Sequence, residues 1–250
     1  MTTTTMTRRV LAVELRDELY AIIREPAAVF FSIALPVVFF ALFASLLADE
    51  SERSVSVATL MLATFGTFGV VGVALLNPGI GVAEDRERGW LRVKRVSPVP
   101  VTTTLAAKVV AGLPVAFGVF AAMSLTAVAL GAFETDLVTW SKLAGILLVG
   151  SLPFALLGLA VGFMTSGRLA PVVLNAIFFT GAIAGGLWFP VEMMPTFVGY
   201  LAPWLPTYHL AQLGVGVLLG DPVTDHVVAL LVTTVITAAL ASAAYRSART

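Results

Sequence analysis

Residues 84–98 read EDRERGWLRVKRVSP and stand between two long apolar runs of the chain. The segment packs three acidic and five basic side chains into fifteen residues. A cluster of charge this dense is too costly to place in the hydrocarbon core of a bilayer. The segment must therefore lie in water at a membrane face, and the apolar runs on either side of it are predicted to cross the membrane.

The composition of the whole chain is that of a polytopic membrane protein. Of its 250 residues, 58% are hydrophobic and 12% are charged, whereas soluble domains have about 45–50% apolar and about 25% charged residues. Because one span needs about 20 apolar residues, six or seven spans leave no room for a soluble catalytic domain. The chain has no cysteine, which excludes disulfides and thiol chemistry. A cleaved signal peptide is not expected, because the N-terminus leads into an amphipathic segment.

The hydropathy pattern predicts an all-α fold with six transmembrane helices, at residues 26–48, 55–82, 101–133, 143–165, 169–189 and 227–245. An amphipathic interfacial helix is predicted at residues 8–25, because its apolar residues recur at steps of three and four. This helix either only anchors the chain or also packs on a cytoplasmic partner. Asn77-Pro78-Gly79 is expected to break and kink the second span.

Two pairs of glycines have the small-xxx-small spacing of closely packed membrane helices. Gly158 and Gly162 form one pair in the fourth span, and Gly181 and Gly185 form the other in the fifth. We interpret both pairs as packing surfaces and not as binding sites.

The distribution of basic residues predicts the orientation of the chain. Thirteen of the fifteen lysines and arginines fall on one side of the predicted spans, with Arg53 and Lys142 on the other. The positive-inside rule places the thirteen in the cytoplasm, together with both termini. The number of spans must then be even. Residues 190–221, which three prolines interrupt, are therefore predicted to form an external re-entrant helical hairpin between spans five and six.

Several kinds of chemistry are missing from the sequence. It has no GxxxxGK[ST] phosphate-binding loop, and the centres of the predicted spans contain no ionisable residue. The second absence disfavours ion-coupled transport and intramembrane catalysis. No metal site is predicted, since His209 and His226 are more typical of an interfacial position. Polar and aromatic residues inside the spans form a candidate substrate path: Phe65, Phe68, Asn77, Asn175 and Phe178.

The charged segment itself is predicted to form a short amphipathic helix to which a soluble, energy-supplying partner protein could bind. Glu84 and Asp85 would lie at its N-terminal end and Lys94 and Arg95 near its C-terminal end, both favourable for the helix dipole. A simple charged loop is the alternative. That alternative explains the basic residues but not the three acidic residues, the embedded Trp90 and the Ser97-Pro98 stop.

With these features in place, nearly the whole chain resembles the membrane permease subunits of ABC type-2 exporters. Residues 15–36 resemble the interfacial connecting helix of that family, with Arg16 and Arg24 as its basic residues. Trp90 and Arg92 depart from the family pattern, where a small hydroxyl residue and Glu are common. Lys108 matches a basic residue that opens the third span. The resemblance assigns the ATPase-coupling residues as Glu84, Arg86, Glu87, Arg88, Gly89, Trp90, Leu91, Ser97 and Pro98, and the re-entrant residues as Phe189, Pro190, Met194, Pro195, Pro206 and Tyr208.

The resemblance implies one transmembrane domain over residues 1–250, with coupling region 84–98, in the cell membrane of a bacterium. The permease would pair with a second copy of itself and with two ATPase subunits, which bind ATP and magnesium, whereas this chain binds no cofactor and no nucleic acid. It would export a drug, an antibiotic or a lipid. A permease for a polysaccharide, and a channel or scaffold outside the ABC class, are the alternatives.

Overall fold

The computed structural model describes residues 3–47, 51–52, 55–89 and 101–248. Within these ranges the regular secondary structure is helical except for one antiparallel ribbon, β1 (Ser51–Glu52) and β2 (Val55–Ser56), in which Ser51 pairs with Ser56. The α-helices are α1 (Thr3–Ile23), α2 (Pro26–Leu46), α3 (Val57–Glu87), α4 (Val101–Ala129), α5 (Leu137–Gly150), α6 (Leu152–Met164), α7 (Ala170–Ala184), α8 (Thr196–Leu201), α9 (Pro206–Leu219) and α10 (Thr224–Ser247).

Five helical stretches are long and apolar enough to cross a membrane. They are α2, α3, α4, α5 together with α6, and α10. The polytopic, helical prediction is therefore confirmed. The predicted fifth span corresponds to α7, which has only 15 residues and rises about 22 Å at 1.5 Å per residue. This is shorter than a hydrocarbon core of about 30 Å. Helix α7 is therefore not one of the five stretches, and the structure has candidates for only five of the six predicted spans.

Helix α3 lies at the centre of the bundle. In the most apolar 18-residue stretch of α3, 89% of the residues are buried, compared with 17% in the corresponding stretches of α2 and α10. Helices α2, α4, α6, α7 and α9 all pack against it. Its Phe65 and Phe68 are completely buried, beside Phe40 of α2 and Phe120 of α4. A central helix surrounded by helices has to be apolar on every side, which explains why the sequence of α3 shows almost no polar face.

Two predictions about α3 are wrong: the break at Asn77-Pro78-Gly79, and the place of Glu84 and Asp85 at the start of a helix. The helix runs without interruption through Asn77-Pro78-Gly79, and Glu84 and Asp85 belong to its last turns. They therefore lie near the negative C-terminal end of a long helix, and not at the N-terminal end of a separate short one. The helix continues because each added residue gains a backbone hydrogen bond and because neighbouring helices support the backbone around a buried proline.

Helices α3 and α6 cross at very short range. A β-carbon on Gly158 would collide with the Leu75 carbonyl oxygen, and one on Gly162 with the Gly79 carbonyl oxygen. A β-carbon on Gly79 would lie 2.8 Å from the Gly158 carbonyl oxygen. The packing role predicted for Gly158 and Gly162 is confirmed, since only glycine permits backbones to approach so closely.

The predicted fourth span is divided into two helices. Helix α5 ends at Gly150 and α6 begins at Leu152, with Ser151 between them. Pro153 has no backbone N–H to continue the ladder of hydrogen bonds from the preceding turn. The Ser151 hydroxyl donates a hydrogen bond to the Leu148 carbonyl at 2.7 Å. The hydropathy of the sequence does not show this break, because both halves are apolar.

The segment predicted to be re-entrant is divided into short pieces, as its prolines suggested. They are two 3-10 turns (Val191–Met193 and Ala202–Trp204), α8 and α9. The Thr207 hydroxyl at the start of α9 donates a hydrogen bond to the Gly181 carbonyl of α7 at 2.7 Å. A β-carbon on Gly214 of α9 would lie 2.9 Å from the β-carbon of Ala63 in α3. Helix α9 is therefore inserted into the bundle, with Leu210 completely buried.

The bundle has two distinct ends. At one end, which we call the Lys108 end, Lys108 contacts α1 and α3, and the Tyr245 ring of α10 lies 5.4 Å from the ring of Phe163. At the other end, the His209 end, the Nδ1 atoms of His209 and His226 lie 3.0 Å apart. The C-terminal half of α1 and the last turns of α10 thus lie at the same end of the bundle.

Candidate functional site

Lys108 joins three helices at its end of the bundle. Its Nζ atom lies 2.9 Å from Glu18 Oε2 of α1 and 2.8 Å from Asp85 Oδ2 of α3. The lysine side chain is only 7% exposed, and the two carboxylate side chains are 18% and 19% exposed. A buried charge is tolerated only when it is paired. The ion pairs of the cluster therefore stabilise the charged form of all three residues.

The cluster has one cation for two carboxylates, and this excess affects Glu18. Burial raises the pKa of the Glu18 carboxyl above its ordinary value, and the Lys108 ammonium opposes that rise. The nearby carboxylates of Asp85 and Glu14 add to it. Glu18 therefore takes up a proton more readily than an exposed glutamate does.

Arg86 connects the end of α3 to the end of α6. Its guanidinium donates one hydrogen bond to the Phe163 carbonyl and another, of 2.6 Å, to the Thr165 carbonyl. The last carbonyls of a helix lack partners within the helix, and a cation there also interacts favourably with the helix dipole. Arg86 thus provides hydrogen-bond donors for the last carbonyls of α6 and holds the end of that helix against α3.

The predicted coupling residues that follow are more exposed. Glu87 and Arg88 are exposed at the end of α3, and Arg88 forms an ion pair of 3.2 Å with Glu84 one turn earlier. Gly89 follows the helix with a φ of 75°, a conformation that glycine adopts without strain. The turn at Gly167 packs against Glu84 and Glu87. The end of α3 is therefore held by α6 on one side and open on the other.

The remaining predicted coupling residues, Trp90, Leu91, Ser97 and Pro98, lie outside the described residues, as do Arg92, Lys94 and Arg95. Both predicted basic residues of the interfacial helix are exposed: Arg16 lies 3.5 Å from Asp17, and Arg24 follows the end of α1. Helix α1 packs mainly against α4.

The residues of the predicted substrate path do not form one site: the three phenylalanines meet in the core, and the two asparagines lie apart from them. The rings of Phe68 and Phe178 stack 4.8 Å apart in the core, next to Phe65, and the Asn175 amide donates a hydrogen bond to the Pro171 carbonyl of its own helix. Asn77 instead lines a cavity of about 250 Å³ between α1, α2, α3 and α4. Lys108, Glu18 and Asp85 lie on the wall of the same cavity.

The predicted re-entrant residues surround the other end. Phe189 packs edge-on against Phe43 of α2, with ring centroids 5.2 Å apart. Tyr208 lies beside the two histidines, at 5.6 and 6.1 Å. Pro190 and Pro195 each precede a helical piece, Met194 lies between the pieces, and Pro206 opens α9.

The pair of histidines is held by hydrogen bonds. His209 Nε2 lies 2.9 Å from the Pro203 carbonyl oxygen. Because a carbonyl can only accept, His209 donates there, and a neutral His209 must accept through Nδ1 from His226. Within the described residues, no group of three or more metal-binding side chains occurs.

Reasoning from sequence identified the charged segment but missed the cluster around Lys108. Glu18, Asp85 and Lys108 are far apart in the chain, and only Asp85 lies in the charged segment. The available signal was a lone lysine two turns inside an otherwise apolar helix. A charge in such a position requires a partner.

Comparison with known proteins finds similarity to membrane transporters. Residues 51–243 match the family model described as ABC-2 family transporter protein. The chain is also 26% identical over 200 residues to YvfS of Bacillus subtilis (strain 168), which is named as a transport permease; the match covers 78% of this chain and 80% of that protein.

The family model covers more than half of the chain, from β1 to the last turns of α10. It describes a membrane permease domain, which lacks a nucleotide-binding domain and typically binds no cofactor itself. Permeases of this kind pair with separate ATPase subunits. This chain is a multi-pass membrane protein and belongs to the ABC-2 transporter family.

Proposed function

We propose that the chain is the transmembrane subunit of an ATP-driven exporter for a hydrophobic or amphiphilic compound, such as a drug, an antibiotic or a lipid. The observation that carries this proposal is the exposed end of α3, where Glu87 and Arg88 face outward while Arg86 and Asp85 are tied to α6, α4 and α1. A displacement of this end of α3 would therefore be transmitted to α1, α4 and α6 as well.

The proposal includes an orientation and an assembly. The Lys108 end would face the cytoplasm of a bacterium, with both termini on that side, and α7 would provide the sixth crossing. Residues 190–221 would form the external re-entrant hairpin. Two copies of the permease would each bind one ATPase subunit through residues 84–98, and residues 1–250 would act as one transmembrane domain.

The ATPase would supply the energy for the change of state. A ligand shifts an equilibrium between two conformations only if it binds one of them more tightly. Here nucleotide bound between the ATPase subunits favours one arrangement of their surfaces, and therefore one position of the α3 ends. The Lys108 cluster would pass that displacement to α1 and α4.

The test is a reconstitution with the partner ATPase in liposomes. Glu87→Ala removes an exposed contact at the end of α3, and Gly89→Pro forbids the positive φ found there. Both variants should retain ATP hydrolysis but lose most transport of the cargo. Glu192→Ala, an exposed carboxylate at the His209 end, is the matched control and should transport normally.

Two results would refute the proposal. One is full transport by Glu87→Ala and Gly89→Pro. The other is ion conduction by the purified chain without a partner, which would support a channel. A resistance assay in an efflux-deficient host separates a drug exporter from a polysaccharide permease. The aromatic residues Phe65, Phe68 and Phe178 are buried within the chain, which favours a small cargo over a polymer.

A further inference from the structure

The cavity beside Lys108 has a charged end and an apolar end. Glu84 and Lys108 lie on its wall at the charged end, and Asn77 and Val115 lie on the wall further along the same two helices. Each pair of positions on one helix is separated by two turns, or about 10 Å. Val115, Ile80 and Val29 give this second end its apolar surface, and Asn77 and Ser32 are its uncharged polar residues.

The charges on the wall do not balance. Among the described residues, four carboxylates and two basic side chains line the cavity. Lys108 is already bound by two of the carboxylates, and Arg88 by Glu84. Glu25 has no ion pair among the described residues, and it is exposed at the junction of α1 and α2. Both described basic groups of the wall are therefore paired, and the described part of the wall has an excess of negative charge.

An anion would have to displace one of these ion pairs in order to bind. A cation would instead find the excess carboxylate charge without displacing anything. The apolar end accommodates hydrocarbon, whose removal from water is favourable.

We propose that this cavity between α1, α2, α3 and α4 binds an amphiphilic cation, with its ammonium group at the carboxylates and its hydrocarbon chain between Val29, Ile80 and Val115. The inference deepens the proposed function and rests on it only in treating the bound cation as cargo. The shared chemistry is an ammonium group on a hydrocarbon tail, which a soluble compound or a lipid headgroup could supply.

The experiment measures equilibrium binding to the full-length permease in maltoside micelles by isothermal titration calorimetry, without the ATPase. The probe is octyltrimethylammonium, and octyl sulfate has the same tail with the opposite charge. Saturable binding of the cation, with none of the sulfate above that to empty micelles, is the expected result. Equal binding of the two, or no binding, would overturn the inference.

Three variants locate the site. Glu25→Gln removes one carboxylate charge at an exposed position and should weaken the affinity about fivefold. Val115→Phe fills the apolar end and should weaken it at least as much, while leaving every charge in place. Asp17→Asn is the matched control, since Asp17 lies on α1 next to Glu18 but is exposed with Arg16; its affinity should be unchanged. Equal affinities for all three would overturn the assignment.

Added lipid distinguishes the two sources of the ammonium group. Displacement of the probe by lysyl-phosphatidylglycerol, whose headgroup has a net positive charge, but not by phosphatidylglycerol, would identify a lipid headgroup as the ligand. No displacement by either would identify a soluble cation. Because this assay needs no nucleotide, a permease that binds the cation but does not transport it with its ATPase would refute the proposed function alone. Transport without binding in the cavity would refute the inference alone.

Discussion

Lys108 shows how much one side chain can decide in an apolar bundle. Its ammonium group is enclosed by α1, α3 and α4, and the carboxylates of Glu18 and Asp85 complete its surroundings. Removing one member of a buried ion pair leaves the other members without compensation, which costs more than the pair contributes as a whole. The three residues therefore have to be considered together.

Replacing Lys108 with methionine should lower the free energy of unfolding by about 3 kcal/mol, because two largely buried carboxylates, 18% and 19% exposed, lose their cation. The measurement is the melting temperature of the purified protein in detergent. Lys142→Met, at an exposed lysine of α5, is the control and should melt like the parent protein.

The combined variant Lys108→Met, Glu18→Gln and Asp85→Asn should recover much of the loss, since it leaves no unpaired charge. A Lys108→Met protein as stable as the Lys142→Met protein would show that the cluster contributes little.

At the scale of elements, the crossing of α3 and α6 sets the geometry of the Lys108 end. Glycines on both helices bring the two backbones into contact, and Arg86 then reaches the last carbonyls of α6. Without the close crossing, the guanidinium of Arg86 could not bond to Phe163 and Thr165. The small residues of α3 and α6 thus position the surface on which the coupling proposal depends.

Gly158→Ala should destabilise the protein by about 1–3 kcal/mol, as expected for overpacking, because its β-carbon would meet the Leu75 carbonyl oxygen. Gly145→Ala is a matched control in α5, where a β-carbon would meet nothing within 4 Å. That control should be neutral or slightly stabilising. Thermal melting in detergent compares the two. Equal melting temperatures would contradict the close crossing.

At the scale of the whole molecule, the chain has two ends with different chemistry. The Lys108 end contains buried ion pairs and an exposed helix end, whereas the His209 end contains a pair of histidines and short aromatic helices. This asymmetry is the structural counterpart of the uneven distribution of basic residues along the sequence. It supports the proposed orientation, with the Lys108 end in the cytoplasm.

Single cysteines can test that orientation, because the natural sequence contains none. Arg168→Cys, in the turn between α6 and α7, should resist a membrane-impermeant maleimide in intact cells and react after the cells are permeabilised. Asp225→Cys, at the start of α10, should react in intact cells. Both positions are exposed. The reverse pattern, or labelling of both in intact cells, would refute six spans with cytoplasmic termini.

Much of the fold was predictable because the insertion of a segment into a bilayer depends on the hydropathy of that segment itself. The apolar runs that became α2, α3, α4 and α10 were identified with nearly correct bounds, and Gly158 and Gly162 were identified as packing residues. The continuation of α3 past Pro78 was not predicted, because it depends on the helices around it. For the same reason, the short length of α7 and the break at Ser151 could not be read from hydropathy.

The sequence by itself determined that this is a helical membrane protein with a charged segment in water, since the free energy of placing residues in lipid depends mainly on their own chemistry. Only the tertiary structure decided that Glu18, Asp85 and Lys108 meet, and that a cavity with one charged end lies beside them. Contacts between residues distant in the chain depend on how the helices cross, and glycine-mediated packing sets those crossings.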